Sequence, residues 1–438
     1  MEDIARRLAE GATPTRRGAE PTLLRRLGEL EALLRRAQQR FTSHAPEKLE
    51  LSSAAEWLLD NYYLVQQAVR QVRQDLPEGF YRQLPILAAS EFGGLPRIYA
   101  LACELTSSCE IHLDPDAVRR FVAAYQTVTT LTMGELWALP TMLRLATLEH
   151  LAEALAGLLD PAQKPRLGST EALSAHQKGD QFLVANSILD LRAIDIEDWK
   201  SVFESVSRVE QVLRRDPSQV YERMDFETRD RYRKAVEHLA WSTGESEAAV
   251  AQQAVDLAIE GGRLRSEGHP SVALEQAKWH LHSANRVRRA HKASDPEPRG
   301  GTLFGDRTAH VGFYLLDQGR TALERCLGYS PSVRTRLRRG LEAYALWAYL
   351  GSISLLSILI LIGFVCLTVA WGGSSLQALV ATLVGLVPAV TVAVSVVHST
   401  IPRLVPPRLL PKMEFQEGIP RECSTLVAIP ALLTSAEE

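Results

Sequence analysis

The chain has 438 residues, of which 46% are hydrophobic and 23% are charged, so most of it can bury a core. The formal net charge of −3 gives no reason to expect nucleic acid as a partner. The five cysteines are an odd number and include no Cys-x-x-Cys pair, which disfavours a disulfide framework. Cys109 and His112 are close in sequence, but no second pair completes a zinc set, and we interpret them as loop residues.

Residues 1–21 are charged and contain no apolar stretch, so we expect no signal peptide and a soluble part that stays in the cytoplasm. Amphipathic helices are predicted at 22–41 and 54–76, because apolar residues recur every three or four positions. Ser53 and Glu56 have the spacing of a capping box at the start of the second helix.

Further helices follow after a stretch broken by prolines and glycines. Asp114-Pro115 predicts a helix start, with Asp as the N-cap and Pro in the first turn. Thr132 and Glu135 form a second capping box, which opens a long helix. The segment 160–179 then has the composition of a loop.

The helical pattern resumes at 182–259 and is broken at Asp216 and near Gly244. No convincing alternating strand occurs here. We therefore predict a helical cytoplasmic domain over 1–259, followed by a polar, mobile or partly helical linker over 260–306.

Near the C-terminus the composition changes. After a juxtamembrane helical segment at 307–340, residues 343–371 and 376–397 carry no charge, and each exceeds or matches the roughly 20 residues that a membrane-spanning helix needs. A buried helical pair in a soluble domain is the alternative, but two adjacent uncharged stretches of this length favour a transmembrane hairpin. The predicted fold class is therefore all-α.

Basic residues flank both predicted spans, and the short turn between the spans has none. They are Arg334, Arg336, Arg338 and Arg339 before the first span, and Arg403, Arg408 and Lys412 after the second. The positive-inside bias places both flanks, and with them both termini, in the cytoplasm. Trp347 and Trp371 stand near the ends of the first span, where an aromatic belt is expected.

The segment 401–438 contains four prolines in its first eleven residues. They predict a stiff connector without a regular helix. The run Thr425 to Ile429 has the pattern of one buried strand. Because a lone strand is not stable, we expect poor order from about Met413 onward.

The acidic motifs have ordinary structural explanations. Asp114-Pro-Asp116 has the D-x-D pattern that metal-dependent glycosyltransferases use, but its position favours a helix cap. The acidic residues Asp195, Glu197 and Asp198 suit the first turn of a helix.

A second charged motif is basic. Three alternating arginines, Arg229, Arg231 and Arg233, predict a solvated face or an intramolecular network. No nucleotide-binding, nucleophile-elbow or zinc-protease motif occurs. We therefore assign no catalytic, cofactor-binding or metal-binding residue.

Several long stretches of the chain have the sequence pattern of one protein family. They are AAEWLLDNYYLV at 54–65, DLPEGFYRQLP at 75–85, LPRIYALACEL at 95–105, RRFVAAYQTVTTLTMGELWALPTMLRLATLEHL at 119–151, the stretch at 184–240, HVGFYLLDQGR at 310–320 and the stretch at 406–435. In this order they resemble the N-terminal part of bacterial cyclic β-1,2-glucan synthases.

This resemblance implies the scaffold and membrane anchor of a glycosyltransferase that polymerises glucose from UDP-glucose at the bacterial inner membrane. It implies UDP-glucose and a divalent metal as cofactors of the full-length family, with 423–435 resembling the first strand of a truncated transferase domain. The expected partners are the lipid bilayer and the missing transferase domain or other membrane subunits. We expect this chain alone to be inactive. The alternative is a non-enzymatic membrane-anchored helical protein that binds a partner.

Overall fold

The computed structural model describes residues 1–11, 14–15, 21–44, 53–88, 92–108, 113–159, 170–266, 307–404, 410–415, 418–419 and 421. Over these ranges the regular structure is almost entirely helical, which confirms the all-α prediction. The chain divides into two compact units, Met1–Val212 and Leu213–Glu438. The predicted strand Thr425 to Ile429 and the Cys109/His112 pair lie outside the described residues.

The first unit is a helical assembly with one minimal strand pair. Its helices are α1 (Glu2–Gly11), α2 (Thr22–His44), α3 (Ser53–Asp75), α4 (Glu78–Tyr81), α5 (Arg97–Ser108), α6 (Pro115–Tyr125), α7 (Met133–Leu159), α8 (Thr170–Ile196), α9 (Trp199–Val206) and, at the unit boundary, α10 (Arg208–Leu213). Strands β1 (Pro14–Thr15) and β2 (Ile86–Leu87) pair antiparallel, with Pro14 opposite Leu87.

Helix α7 forms the centre of the first unit, since α2, α3, α5 and α8 all pack against it. Apolar residues occur on every side of it, as a largely enclosed helix requires, and residues such as Leu143 and Leu155 are buried. The predicted capping box is confirmed at its start. The Glu135 amide donates to the Thr132 hydroxyl at 3.2 Å, and the Thr132 amide donates to the Glu135 carboxylate at 2.9 Å.

The prediction of a loop over 160–179 is wrong for its second half, because α8 already begins at Thr170. The sequence from Thr170 onward contains Glu, Ala, Leu and Gln, which are strong helix formers. One glycine in a long helix costs only about 1 kcal/mol, so Gly179 does not end it.

The second unit combines short packed helices with two long ones. Its helices are α11 (Phe226–Thr243), α12 (Glu247–Ser266), α13 (Val311–Leu316), α14 (Arg320–Cys326), α15 (Val333–Ala343), α16 (Ala345–Ala370) and α17 (Ser375–Leu404). Helices α11, α12 and α13 pack against one another. The predicted break near Gly244 is confirmed: this residue has φ +83°, and its amide caps α11 on the Ala240 carbonyl at 3.0 Å.

Two helices of this unit extend past their predicted ends. Helix α12 continues to Ser266, into the segment predicted as a linker, and residues 267–306 lie outside the described ranges. Helix α17 continues to Leu404, so the prediction that the prolines exclude helix from 401 onward is wrong for its first turn. A proline near a helix end disturbs only the last turn, where few hydrogen bonds remain to be lost.

Candidate functional site

The D-x-D pattern is a helix cap in the structure. The Asp114 carboxylate accepts hydrogen bonds from the amides of Asp116 and Ala117, each at 3.2 Å, and Pro115 occupies the first turn of α6. The Asp116 carboxylate pairs with Arg119 at 2.6 Å on the exposed side of the same helix. Both carboxylates are therefore accounted for by the helix itself, in agreement with the capping interpretation.

The acidic residues near the end of α8 have separate partners. Asp195 accepts hydrogen bonds from the Gln67 and Gln71 side chains of α3 at 2.9 and 3.1 Å. Glu197 pairs with Arg119 of α6. Asp198 immediately precedes α9 and is its N-cap, a position where aspartate is preferred. Among the described residues, no group of three or more His, Cys, Asp or Glu side chains could hold a metal ion.

The arginines of α11 are not all on a solvated face. Arg229 and Arg233 are buried, so the solvated-face prediction is wrong for these two. The Arg233 guanidinium lies 4.6 Å from the centre of the Phe226 ring and 3.7 Å from the Asp230 carboxylate. The alternative of an intramolecular network fits both, since Arg229 also donates to the Glu222 carbonyl at 3.2 Å.

A buried polar cluster that the sequence did not suggest joins the turn before α11 to the start of α13. The Asp216 carboxylate lies 2.8 Å from Nδ1 of His310 and accepts from the Val311 amide at 3.0 Å. Nε2 of His310 is 3.1 Å from the Tyr232 hydroxyl. The Ser218 hydroxyl contacts both Asp216 and His310, at 2.5 and 3.1 Å.

The electrostatics of this cluster favour an ionised Asp216. Burial raises the pKa of this carboxyl, but hydrogen bonds from His310, Ser218 and the Val311 amide, with the charge interaction with His310, outweigh burial and leave the pKa below its usual value. Burial, followed by the nearby Asp216 charge, raises the pKa of Tyr232 to about 12. The tyrosine therefore stays protonated at neutral pH.

The geometry of the cluster suits structure rather than catalysis. In a nucleophilic serine triad, the acid and the serine bind opposite nitrogens of the histidine. Here Asp216 and Ser218 share Nδ1 of His310, and Tyr232 occupies Nε2. A Cβ added at Gly312 would overlap the Tyr232 hydroxyl, so the space beside the histidine is filled.

The two long apolar helices of the second unit form a hairpin. Helices α16 and α17 contact each other more extensively than any other pair of elements among the described residues, and the turn between them contains Gly372 with φ +76°. Both are long and apolar enough to cross a membrane. Most of their large apolar side chains are exposed, as with Val387 at 72%, which a core helix of a soluble protein does not show.

Small residues form the contact between the hairpin helices. Gly385, Ala389, Ala393 and Val397 recur every fourth position of α17 and are the buried residues of its apolar stretch. A Cβ added at Gly385 would lie 3.1 Å from the Phe364 ring of α16. Small residues at this spacing allow helix backbones to approach closely in lipid.

One polar contact closes the open end of the hairpin. The Tyr349 hydroxyl of α16 lies 2.7 Å from Nε2 of His398 on α17, and the two rings are stacked at 5.8 Å with an interplanar angle of 16°. The contact links the start of the first helix to the last part of the second. It therefore fixes their register as well as their spacing.

The segment after the hairpin, residues 410–415, which we term the return segment, pairs with residues just before α11 and in its first turn. Met413 forms an antiparallel bridge with Met224. The Lys412 amide donates to the Thr228 hydroxyl at 3.0 Å, and the Asp225 amide donates to the Lys412 carbonyl at 3.1 Å. The prediction of poor order from about Met413 is therefore wrong for its first residues, because their backbone groups have partners in the helical part of this unit.

No family model matches the chain. A search of curated proteins finds 28% identity over 498 residues to the cyclic β-(1,2)-glucan synthase NdvB of Rhizobium meliloti (strain 1021). The chain is similar to a cyclic β-(1,2)-glucan synthase. The match includes 98% of the chain but only 16% of NdvB. The predicted resemblance is thus confirmed, and the chain spans about a sixth of the length of this relative.

The buried polar cluster lies in two stretches that carried the resemblance to these synthases, 184–240 and 310–320. Asp216 and Tyr232 belong to the first stretch, and His310 and Gly312 belong to the second. The cluster therefore joins separate parts of the glucan-synthase-like sequence into one packed unit.

Proposed function

We propose that this chain forms the membrane-anchored helical part of an enzyme that synthesises β-(1,2)-linked glucan at the bacterial inner membrane. The similarity to NdvB over almost the whole chain is the observation that carries the proposal. The proposal includes UDP-glucose as the glucose donor of the complete enzyme, used with a divalent metal, as the family resemblance of the sequence implies. The transferase chemistry belongs to a domain that the scaffold holds at the membrane.

The hairpin is the membrane anchor in this proposal. A helix rises about 1.5 Å per residue, so the 26 residues of Ala345–Ala370 extend about 39 Å, beyond the roughly 30 Å hydrocarbon core of a bilayer. The exposed apolar side chains of α16 and α17 form a surface far larger than a soluble monomer normally shows to water. Lipid is the environment that satisfies this surface.

The return segment gives the helical part its role as a scaffold. Its backbone is held by residues 223–228, which follow the Asp216 cluster in the chain. The chain therefore leaves the hairpin in a direction set by the helical part of the second unit. The pairing of the return segment with residues 223–228 would then position a domain that follows it.

A chimeric enzyme tests the proposal. The segment of NdvB that matches this chain is replaced by the chain, and membrane vesicles are assayed for incorporation of labelled glucose from UDP-glucose into β-(1,2)-glucan. We expect product from the chimera. A matched chimera without residues 345–404 should lose both membrane attachment and product.

The outcomes separate the proposal from a non-enzymatic role. A chimera that inserts into the membrane, keeps its helical content and makes no glucan contradicts the scaffold assignment. That result would instead favour a membrane-anchored helical protein that binds a different partner.

A further inference from the structure

Helix α15, immediately before the hairpin, has an apolar stripe that no described part of the protein covers. Val333 and Leu337 are four residues apart, so they share one face, and they are 83% and 65% exposed. Tyr344, at the end of this helix, is also exposed. An isolated exposed leucine needs no explanation, but a stripe that leads directly into a membrane-spanning helix does.

The opposite face of the same helix is fixed to the protein. Residues two positions further along are turned by about 200°, and there Thr335 and Arg339 are partly buried. The Arg339 guanidinium binds the Glu324 carboxylate of α14 through two nitrogens, at 2.9 and 2.6 Å. The Glu324 side chain is only 6% exposed, so this ion pair holds α15 with its apolar stripe outward.

Two arginines flank the apolar stripe. Helical geometry places Arg334 and Arg336 about 80° to either side of the line between Val333 and Leu337. Both side chains are exposed, and neither forms an ion pair with another described residue. This arrangement, with a narrow apolar face bordered by long basic side chains, is that of helices that lie in a membrane interface.

The backbone allows α15 to leave the direction of the first spanning helix. Tyr344 has φ −112° and ψ 34°, which is not helical, and it separates α15 from α16. The interfacial and spanning segments are thus two helices rather than one. The apolar stripe is therefore continuous in sequence with the membrane anchor but need not follow its axis.

We propose that α15 lies on the membrane surface and binds anionic phospholipid headgroups through Arg334 and Arg336, with Val333 and Leu337 buried among the acyl chains. The proposal rests on the membrane anchoring proposed above. Continuity with the hairpin, the outward apolar stripe and the positive charge together select an anionic lipid surface as the occupant. A protein partner would have no reason to require the adjoining spanning helix.

Site-specific photo-crosslinking to lipid tests this inference on the full chain. The photoreactive residue p-benzoylphenylalanine replaces Leu337 or Val333, and the chain is reconstituted in vesicles of phosphatidylcholine alone or mixed with phosphatidylglycerol. Ile259, which is 52% exposed on α12, is the matched control position. We expect lipid labelling at 333 and 337, stronger in the anionic vesicles, and little labelling at 259.

Charge variants test the headgroup contact. An arginine near an anionic surface contributes about fivefold to binding, so Arg334→Gln with Arg336→Gln should reduce labelling at 337 severalfold in anionic vesicles. High salt should do the same by screening. Arg25→Gln with Arg215→Gln removes two exposed arginines elsewhere and should change nothing.

The outcomes distinguish the two proposals. Extraction of the chain from the vesicles by alkaline carbonate would overturn the membrane anchor itself. Carbonate-resistant chain that labels no lipid at 333 and 337 would overturn the interfacial position of α15 alone. Equal labelling in neutral and anionic vesicles would overturn the headgroup assignment.

Discussion

The Asp216 carboxylate and the His310 ring lie 2.8 Å apart although 94 residues separate them in the chain. The pair joins the segment before α11 to the segment that leads into the hairpin. Because the carboxylate also accepts from the Val311 amide at 3.0 Å, it holds both the side chain and the backbone at the start of α13. Asp216 therefore connects two parts of the second unit that lie before and after α12 in the sequence.

Replacing this carboxylate should destabilise the second unit. Asp216→Asn removes the charge and turns an amide donor toward groups that themselves donate, so we expect a loss of about 3 kcal/mol in the free energy of unfolding. Denaturant unfolding followed by circular dichroism in detergent micelles measures it. Asp60→Asn, at an exposed position of α3, is the control and should be nearly neutral. Equal effects of the two substitutions would contradict the structural role of the cluster.

The same carboxylate should make stability depend on acid pH. The pKa of Asp216 in the folded protein lies below its usual value, so its contribution is present above the unfolded value of about 3.9 and is lost as pH falls through the lower folded value. The difference in unfolding free energy between the wild type and Asp216→Asn should therefore narrow below about pH 4. Denaturant unfolding of both proteins at a series of pH values measures this difference. If the difference in unfolding free energy widens in acid, the carboxylate is protonated in the folded state.

Local rules predicted much of the helical framework from sequence. The N-cap at Asp114, the capping box at Thr132 and the end of α11 at Gly244 each depend on a few neighbouring residues, and they were found from spacing alone. The hairpin was predicted for a similar reason, since length and absence of charge are visible in one stretch.

Contacts between distant segments were not predictable in this way. The Thr228 hydroxyl meets the Lys412 amide across 184 residues, and no local pattern marks either residue. The burial of Arg233 depends on what packs against α11, whereas its charged neighbours suggested solvent. The Asp216 cluster was missed because each member alone has an ordinary local explanation.

The two aspartates of the D-x-D pattern allow a direct test of whether they cap a helix or bind a ligand. Asp114→Ala should cost about 1 kcal/mol of stability because it removes the N-cap of α6. Asp116→Ala should cost less than about 0.5 kcal/mol, since it breaks only an exposed ion pair. Thermal unfolding of the two variants compares them. We expect neither to alter UDP-glucose binding by the NdvB chimera, and loss of such binding in Asp116→Ala with the fold intact would overturn the capping interpretation.

The small-residue contact predicts a sharp difference between neighbouring positions of α17. Ala393 is fully buried against α16, while Val392 is 52% exposed. Ala393→Leu should therefore destabilise the hairpin by about 1–3 kcal/mol through overpacking, and Val392→Leu should change stability by less than about 0.5 kcal/mol. Thermal unfolding of the purified chain in detergent micelles distinguishes them. If both variants behave alike, the helices do not pack through this stripe.

The last prediction concerns topology. The turn of the hairpin should lie on the periplasmic side, and both of its flanks should lie in the cytoplasm. The basic residues fall on the flanks alone, which favours this orientation. The structure adds an independent reason, because the return segment pairs with residues 223–228 of the same unit that contains α15. The chain must therefore come back to the side from which it left.

Reporter fusions after Gly340, Ser374 and Lys412 measure the three positions, with the first as the internal reference. We expect a cytoplasmic signal after Gly340 and Lys412 and a periplasmic one after Ser374. A periplasmic signal after Lys412 would mean that the chain crosses the membrane only once, and the return segment could then not reach α11.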